Sequence, residues 1–187
     1  MLEVRKLDLD GVYEIQPKKS SDDRGFFSET WNEAEMLHAG FDIRFVQDNH
    51  SYSASRGALR GLHFQAPPFA QDKLVRVVRG SVFDVAVDIR RGSPTFGAWV
   101  GIELSAKKWN QVLVSKGYAH GFLTLEDDTE VAYKVSAPYS PGHDRAIRFD
   151  DPDIAIAWPI PSDRVTLSRK DDAAPRLANT ETGFSFP

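Results

Sequence analysis

The chain has 187 residues, 41% of them hydrophobic and 27% charged, a length that suits one domain with a substantial core. The formal net charge of −4 argues against a polyanion-binding surface, because nucleic-acid-binding modules usually have a basic face. The absence of cysteine excludes disulfides, thiolate metal sites and a cysteine nucleophile.

The N-terminal segment has no apolar run between a basic start and a small-residue cleavage site, and no stretch approaches membrane-spanning length. We therefore expect a soluble, cytoplasmic protein. The first convincing element is a helix over residues 32–39 (NEAEMLHA), with Asn32 as its capping residue and Gly40 directly after its end. Helix is expected to be a minor component.

Two runs rich in β-branched residues, 74–78 and 81–89, lie on either side of a glycine turn and predict a β-hairpin. In the second run, apolar residues alternate with Asp84 and Asp88, the period-two pattern of a strand. The two aspartates are expected to lie on the face opposite the apolar residues.

Short strands at regular spacing are typical of a β-sandwich or barrel. Further strands are expected over residues 99–104, 111–114, 120–125, 129–135 and 146–149, each bounded by turn residues. We expect one domain over residues 1–187, ending in a mostly irregular tail over residues 159–187 with a helical turn near residues 169–174.

The densest group of polar residues is the segment 60–65 (RGLHFQ), which Lys73 follows. In a strand, Gly61, His63 and Gln65 would share one face, and a barrel turns such a face to solvent or into its cavity. A lone histidine is more often a satisfied, partly buried residue than a functional one. Donors from the arginine, the glutamine and the lysine nearby favour a site for an anion or an oxyanion.

A second pattern, the segment 117–122 (GYAHGF), places His120 near the start of a strand. Together with His63, it resembles in outline the metal-binding scheme of the cupins, which are β-barrels that hold a metal with histidines and an acid. Gln65 stands where that scheme has a second histidine, and Lys73 where it has the acid. Because an ammonium has no lone pair for a metal, the resemblance implies a barrel whose metal site has become a cationic pocket.

Two more polar stretches could contribute to a site. Tyrosines in strands, such as Tyr133 and Tyr139 near the end of the strand run, are usually packing residues, but one that faces a histidine inside a barrel is a competent acid. The segment 167–172 (LSRKDD) would, without context, be a solvated helix start.

Over nearly the whole chain these segments are similar, in order and spacing, to the dTDP-4-dehydrorhamnose 3,5-epimerases. The matching stretches are 23–29 (DRGFFSE), 47–51 (QDNHS), 59–65 (LRGLHFQ), 73–77 (KLVRV), 92–97 (GSPTFG), 117–122 (GYAHGF), 150–154 (DDPDI) and 167–171 (LSRKD). The resemblance implies a cupin-type jelly-roll barrel and a homodimer in which the N-terminal segment is exchanged. It also implies a tail over residues 159–187 that completes the site.

The resemblance implies a dTDP-4-keto-6-deoxyhexose substrate, inverted at carbons 3 and 5 on the way to dTDP-L-rhamnose. The ketone at carbon 4 acidifies both neighbouring hydrogens, so deprotonation gives an enolate and reprotonation on the other face inverts the centre. The implied catalytic residues are His63 as general base, Asp171 as the acid that fixes its tautomer, Lys73 as enolate stabiliser and Tyr133 as proton donor from the opposite face. No cofactor and no metal are expected.

The resemblance also implies contacts to the nucleotide and the sugar. These come from Arg24, Glu29, Gln47, Asn49, Arg60, His120 and Lys170, with Phe27 and Tyr139 as stacking partners for thymine. Arg24 and Glu29 are expected to act in the neighbouring subunit. Many relatives have a glutamate where this chain has Gly142 and another acid two positions later, where the shorter Asp144 is expected to keep the substrate contact.

Three other interpretations remain open at this point. One is a relative that inverts a single carbon of a related sugar in another deoxysugar pathway, since the acid–base residues could serve both reactions. A metal-dependent cupin oxygenase is disfavoured by Gln65 and Lys73. A cupin that only binds a sugar nucleotide or carbohydrate is disfavoured because a base, an orienting acid and an enolate-stabilising lysine are all present.

Overall fold

The structure, a computed structural model, describes residues 2–186. The chain folds into short strands with few helical turns. The strands are β1 Glu3–Lys6, β2 Val12–Gln16, β3 Ser20–Asp22, β4 Gly25–Phe27, β5 Gln47–Ser53, β6 Leu59–Gln65, β7 Lys73–Arg79, β8 Ser81–Asp88, β9 Trp99–Ser105, β10 Gln111–Val114, β11 Tyr118–Thr124, β12 Thr129–Val135 and β13 Asp144–Ala146. The helices are α1 Glu33–His38 and α2 Arg169–Asp172, with 3₁₀ turns at Ser162–Arg164 and Leu177–Asn179.

Two antiparallel sheets form the body of the protein. One has six strands in the order β1-β2-β10-β7-β12-β5, and the other has five in the order β13-β6-β11-β8-β9. Strands β3 and β4 form a separate two-stranded hairpin near the N-terminus. This mainly β architecture of two facing sheets confirms the expected cupin-type fold.

The predicted helix is confirmed at α1. The Asn32 side chain accepts hydrogen bonds from the N–H groups of Ala34 and Glu35, and Gly40 follows the helix with a φ of 93°. The expected turn in the tail is also present as α2, where the Ser168 side chain accepts from the N–H of Asp171. The rest of the tail is largely irregular, as expected, although Ile160 and Leu177 are buried within it.

The predicted hairpin over residues 74–89 is wrong in its pairing. Both strands exist, but β7 lies between β10 and β12, whereas β8 lies between β11 and β9 in the other sheet. The chain therefore crosses from one sheet to the other at Gly80. A Cβ at this glycine would lie 2.4 Å from Oγ1 of Thr129, so the crossing requires a residue without a side chain.

The alternation predicted for β8 is confirmed, but neither face is left in solvent. Val85 and Val87 pack outward in a core cluster with Ile154 and Leu177 of the C-terminal segment. Ala86, on the opposite face, belongs to the cluster between the two sheets. The aspartates of β8 are consequently buried as well.

The other predicted strands are confirmed within two residues at each end, except the last. The strand expected over residues 146–149 is Asp144–Ala146 instead. Pairing with β6 stops soon after this strand, because the N–H of Arg148 donates to the carbonyl of Pro175 in the C-terminal segment. Among residues 2–186, no helix is long and apolar enough to cross a lipid bilayer.

Candidate active site

A cavity of about 670 Å³ opens between the two sheets. Six of the predicted site residues line it, namely Arg60, His63, Lys73, His120, Tyr133 and Asp171. They come from both sheets and from α2, so the fold assembles residues that are far apart in the sequence. The remaining predicted residues lie on the rim or on the N-terminal hairpin.

A bulge in β6 turns two of these residues into the same cavity. His63 pairs with His120 of β11, but Arg60 pairs with Phe122, so β6 has one more residue than β11 in this interval. Strict alternation would place Arg60 and His63 on opposite faces. Gly61 lies in the bulge, where a Cβ would come within 2.5 Å of the Gly121 Cα.

The imidazole of His63 is held by a carboxylate. Its Nε2 lies 2.5 Å from Oδ1 of Asp171, and the hydroxyl of Ser168 donates to the other carboxylate oxygen at 2.8 Å. Burial raises the pKa of Asp171, but the hydrogen bond and charge of His63 and the bond from Ser168 leave it below its ordinary value. Nδ1 of His63 is therefore the nitrogen available to accept a proton, as a general base requires.

Lys73 is buried beside this pair. Its Nζ donates to the backbone carbonyl of His63 at 3.3 Å, and it forms no ion pair with a carboxylate in residues 2–186. Burial lowers the pKa of Lys73 to about 8, against the opposing effect of the negative charges of Asp84 and Asp144. The ammonium is thus a poorly solvated positive charge, which is well suited to stabilise an oxyanion.

Tyr133 projects into the cavity from β12 and packs against the cluster between the sheets. Burial raises the pKa of its phenol, so the hydroxyl stays protonated at neutral pH and can donate a proton. The side chain of Arg60 reaches from β6 to β5, where it donates to the Ser53 hydroxyl at 3.2 Å and to the Tyr52 carbonyl at 2.8 Å. The other N–H groups of its guanidinium have no partner in the described part of the chain.

His120 has a carboxylate partner, Asp84, which is not among the predicted site residues. Both carboxylate oxygens of Asp84 lie 2.9 Å from Nε2 of His120. Asp84 is almost fully buried, behind the histidine as seen from the cavity. The alternation in residues 81–89 was the signal that could have found it, because a charged residue on the inner face of a barrel strand needs a partner.

A second group of predicted residues forms the rim. Asp144 accepts hydrogen bonds from Lys170 at 2.5 Å and from the Tyr139 hydroxyl at 3.1 Å. Gln47 accepts from the N–H of Tyr139 at 2.9 Å and donates to Asn49 at 2.8 Å. These residues adjoin the cavity because Val135 of β12 pairs with both Lys73 and Gln47.

Gln65 does not supply a donor for an anion, contrary to expectation. Its amide nitrogen donates to the carbonyls of Phe69 and Pro138, and its amide oxygen accepts from the N–H of Ser140. All of these partners are backbone atoms. The glutamine instead fixes the loop that contains Tyr139.

Arg24, Phe27 and Glu29 lie outside the cavity, on and just after the β3–β4 hairpin. The Arg24 side chain is 90% exposed and pairs with Asp22 of the same hairpin, and Phe27 is 72% exposed. Within the residues that the structure describes, no group of three or more histidine or acidic side chains is arranged to hold a metal ion.

Three comparisons bear on this cavity. The family model for dTDP-4-dehydrorhamnose 3,5-epimerase matches residues 6–179. The dTDP-4-dehydrorhamnose 3,5-epimerase of Sinorhizobium fredii is 50% identical over 182 residues, which cover 97% of this chain and 93% of that protein.

Solved structures match at the level of the backbone. A dTDP-6-deoxy-D-glucose-3,5-epimerase from Legionella pneumophila, in complex with dTDP-4-keto-L-rhamnose, superposes with a TM-score of 0.95 at 42% identity, covering 100% of both chains. A dTDP-4-dehydrorhamnose 3,5-epimerase from Bacillus anthracis, with TDP and PPi bound, has a TM-score of 0.90 at 45% identity, covering 94% of this chain and 99% of that one.

Proposed function

The chain belongs to the dTDP-4-dehydrorhamnose 3,5-epimerase family and has 3,5-epimerase activity, and from this premise we propose how its cavity performs the reaction. The substrate is dTDP-4-dehydro-6-deoxy-D-glucose and the product dTDP-4-dehydro-L-rhamnose. The observation that supports these roles best is the His63–Asp171 pair beside the buried Lys73.

In the first step, Nδ1 of His63 removes a proton from the carbon next to the ketone. The electron pair moves toward the carbonyl oxygen, and the Lys73 ammonium stabilises the negative charge that develops there. Asp171 stabilises the imidazolium while it exists, because its carboxylate already accepts the hydrogen bond from Nε2. The protein residues supply the acid, the base and the charge, so this route needs no cofactor.

Inversion requires a proton to return from the face opposite the base. His63 belongs to β6 of the five-stranded sheet, and Tyr133 to β12 of the six-stranded sheet, so the two side chains enter the cavity from opposite walls. A sugar ring between them would have one group on each face. We therefore assign proton return to Tyr133. Before the second carbon is inverted, the His63 imidazolium releases its proton to solvent and the Tyr133 phenolate takes up a proton from solvent, so both groups regain their starting state.

The nucleotide would lie toward the rim. Arg60 has N–H groups without a partner among residues 2–186, which suit a diphosphate, and the rim offers polar contacts and one exposed aromatic ring from Gln47, Asn49, Tyr139, Asp144 and Lys170. The relatives from Legionella pneumophila and Bacillus anthracis hold a dTDP-sugar and TDP with PPi, respectively. These ligands support a thymidine-diphosphate sugar as the substrate here.

We further propose a homodimer in which Arg24, Phe27 and Glu29 complete the neighbouring subunit's site. One contact holds the hairpin to the body of the protein, since the Phe26 ring packs edge-on against Trp109 with centroids 4.7 Å apart and the Trp109 indole donates to Ser28. Its outer residues remain exposed. Sedimentation equilibrium at micromolar concentration should give twice the chain mass.

The cytoplasmic location stays a prediction.

The reaction is tested by incubation with dTDP-4-keto-6-deoxyglucose in heavy water, with deuterium located by NMR. Label at both carbon 3 and carbon 5, together with formation of the L-rhamno product, is the expected result. Label and inversion at one carbon alone would instead identify a single-centre epimerase. The absence of any label would contradict the proposed chemistry.

A further inference from the structure

The cavity contains two histidine–carboxylate pairs, of which the reaction described above uses only one. His120 lies directly across from His63 in the β6–β11 ladder, and Asp84 approaches it from β8 on the other side of β11. Both oxygens of Asp84 are equidistant from the His120 Nε2, at 2.9 Å. His120 is their one hydrogen-bond partner in residues 2–186.

Stability alone gives little reason for this pair. Removal of a carboxylate from water is costly, and replacement of a buried ion pair by apolar residues of similar volume is often neutral or stabilising. Asp84 is 1% exposed and has apolar neighbours in its own strand, including Val82 and Ala86. A buried carboxylate with one partner, directly behind a cavity wall, therefore indicates a role in that cavity.

The first consequence of the pair is a fixed tautomer. With Nε2–H donated to Asp84, neutral His120 presents Nδ1 as an acceptor. Nδ1 makes no hydrogen bond within the described residues, yet it is not among the buried polar atoms left without a partner, so it retains contact with the cavity that His120 lines. An acceptor in this position suits a hydroxyl donor on the sugar ring.

The second consequence concerns charge. When both imidazoles are neutral, the cations Arg60 and Lys73 are balanced by the carboxylates Asp84 and Asp171. Lys73 has no direct ion pair in the described part of the chain. Burial lowers the pKa of Lys73, and among the surrounding charges that of Asp84 opposes this effect most. Loss of that charge would favour the neutral amine.

We propose that Asp84 is a positioning residue for the epimerisation: it holds His120 as an acceptor toward a sugar hydroxyl, and its charge sustains the Lys73 ammonium. The inference rests on the proposed function of the cavity. Neither effect requires Asp84 to touch the substrate. It acts through His120 by contact and on Lys73 through the electric field.

The pH dependence follows from the groups around Lys73. The titratable and charged groups that face it from the surrounding elements are Asp84 of β8, Asp144 of β13, Lys170 and Asp171 of α2, Arg60 and His63 of β6, His120 of β11 and Tyr133 of β12. In Asp84→Asn, the high-pH limb of the kcat profile should move to lower pH by about one unit, because the ammonium loses the negative charge that supports it most.

The test compares Asp84→Asn with Asp151→Asn, both measured for kcat, KM and dTDP affinity between pH 6 and 10. Asp151 is equally buried, but it accepts from the N–H groups of Asp153 and Leu177 outside the cavity, so it controls for the loss of a buried carboxylate. Asp84→Asn should lose about tenfold to a hundredfold in kcat, with dTDP affinity within about twofold of wild type. The control should keep the wild-type pH profile.

A folded Asp84→Asn variant with wild-type kcat and pH profile would overturn the inference while leaving the proposed function intact, because the wild-type protein still incorporates deuterium. Wild-type protein that incorporates no deuterium would instead contradict the proposed function itself. If Asp84→Asn does not fold, ¹⁵N NMR of histidine-labelled wild-type protein decides the matter. His120 protonated at Nε2 alone is the expected state, and protonation at Nδ1 alone would contradict it.

Discussion

The cavity between the sheets and the β3–β4 hairpin are built in opposite ways, although residues predicted for one site occur in both. His63, Lys73 and Tyr133 project from paired strands and are buried or half-buried, each restrained by neighbours. Arg24 and Phe27 are among the most exposed side chains. The proposed acid–base residues are therefore all supplied by one chain, whereas the proposed dimer assigns part of the nucleotide recognition to the neighbouring subunit.

This division has a physical reason. General acid–base catalysis needs fixed geometry and shifted pKa values, both of which burial between two sheets provides. A contact to an exposed nucleotide needs reach more than rigidity, and a hairpin anchored on Trp109 can extend toward another subunit. Substitutions in the cavity should thus lower kcat, and substitutions in the hairpin should mainly raise KM.

The largest effect is expected for His63→Asn. Loss of the general base should reduce kcat by about a hundredfold to ten-thousandfold while the fold persists, because the cavity remains polar. Steady-state turnover and thermal unfolding are the measurements. His38→Asn, in the exposed last turn of α1, is the matched control and should have wild-type turnover. Near-normal kcat in folded His63→Asn would remove the base assignment.

The second largest effect is expected for Lys73→Met. This variant should lose about a hundredfold in kcat with little change in dTDP affinity, since the charge acts on the enolate. Because burial lowers the pKa of Lys73 to about 8 and the ammonium is the active form, wild-type kcat should fall as the pH rises through 8. Lys134→Met, which removes a surface ion pair with Asp48 on the same sheet, is the control.

Chelator treatment sharpens the same prediction. We expect turnover to be unchanged after dialysis against EDTA, because in the proposed mechanism Lys73 and the acid–base residues supply all of the chemistry. A stoichiometric metal whose removal abolishes turnover would contradict the enolate mechanism, and it would favour the oxygenase alternative.

Tyr133→Phe should have a smaller effect that depends on the readout. The variant keeps the ring but loses the proton donor, so deuterium exchange of the substrate should survive better than net inversion. We expect inversion to fall by about tenfold to a hundredfold. NMR in heavy water measures both rates in one sample. Equal loss of both would contradict the assignment of proton return to Tyr133.

The same contrast explains what the sequence could predict. Strands with β-branched runs, such as β7, β8 and β12, were recognised from their own residues, because burial on the pleat dictates alternation. Strand β5 reads QDNHSYS, and its polar composition gives no such signal, since β5 gains its place by pairing with β12. The crossing at Gly80 cannot be predicted from the sequence, because a glycine turn occurs in a hairpin and in a sheet-to-sheet crossing alike.

The site divides in a similar way. Family resemblance supplied the roles of His63 and Asp171, which lie 108 positions apart in the sequence and 2.5 Å apart at Nε2 and Oδ1. No local pattern could bring them together. The bulge that turns Arg60 inward depends on close contact between Gly61 and Gly121, and the partnership of Asp84 with His120 depends on strand order. These features follow from tertiary packing rather than from periodicity.

The smallest effect is expected in the hairpin, where Arg24→Ala should raise KM about tenfold and leave kcat within about twofold, because a nucleotide contact binds ground state and transition state alike. If the hairpin acts in the neighbouring subunit, two different defects can complement each other. A mixed dimer of Arg24→Ala and His63→Asn chains then contains one site with both residues intact and one with neither, so half of its sites should turn over with wild-type KM. Unmixed samples of each variant are the controls. If the hairpin acts within its own chain, every site in the mixture retains one defect, and no population with wild-type KM should appear.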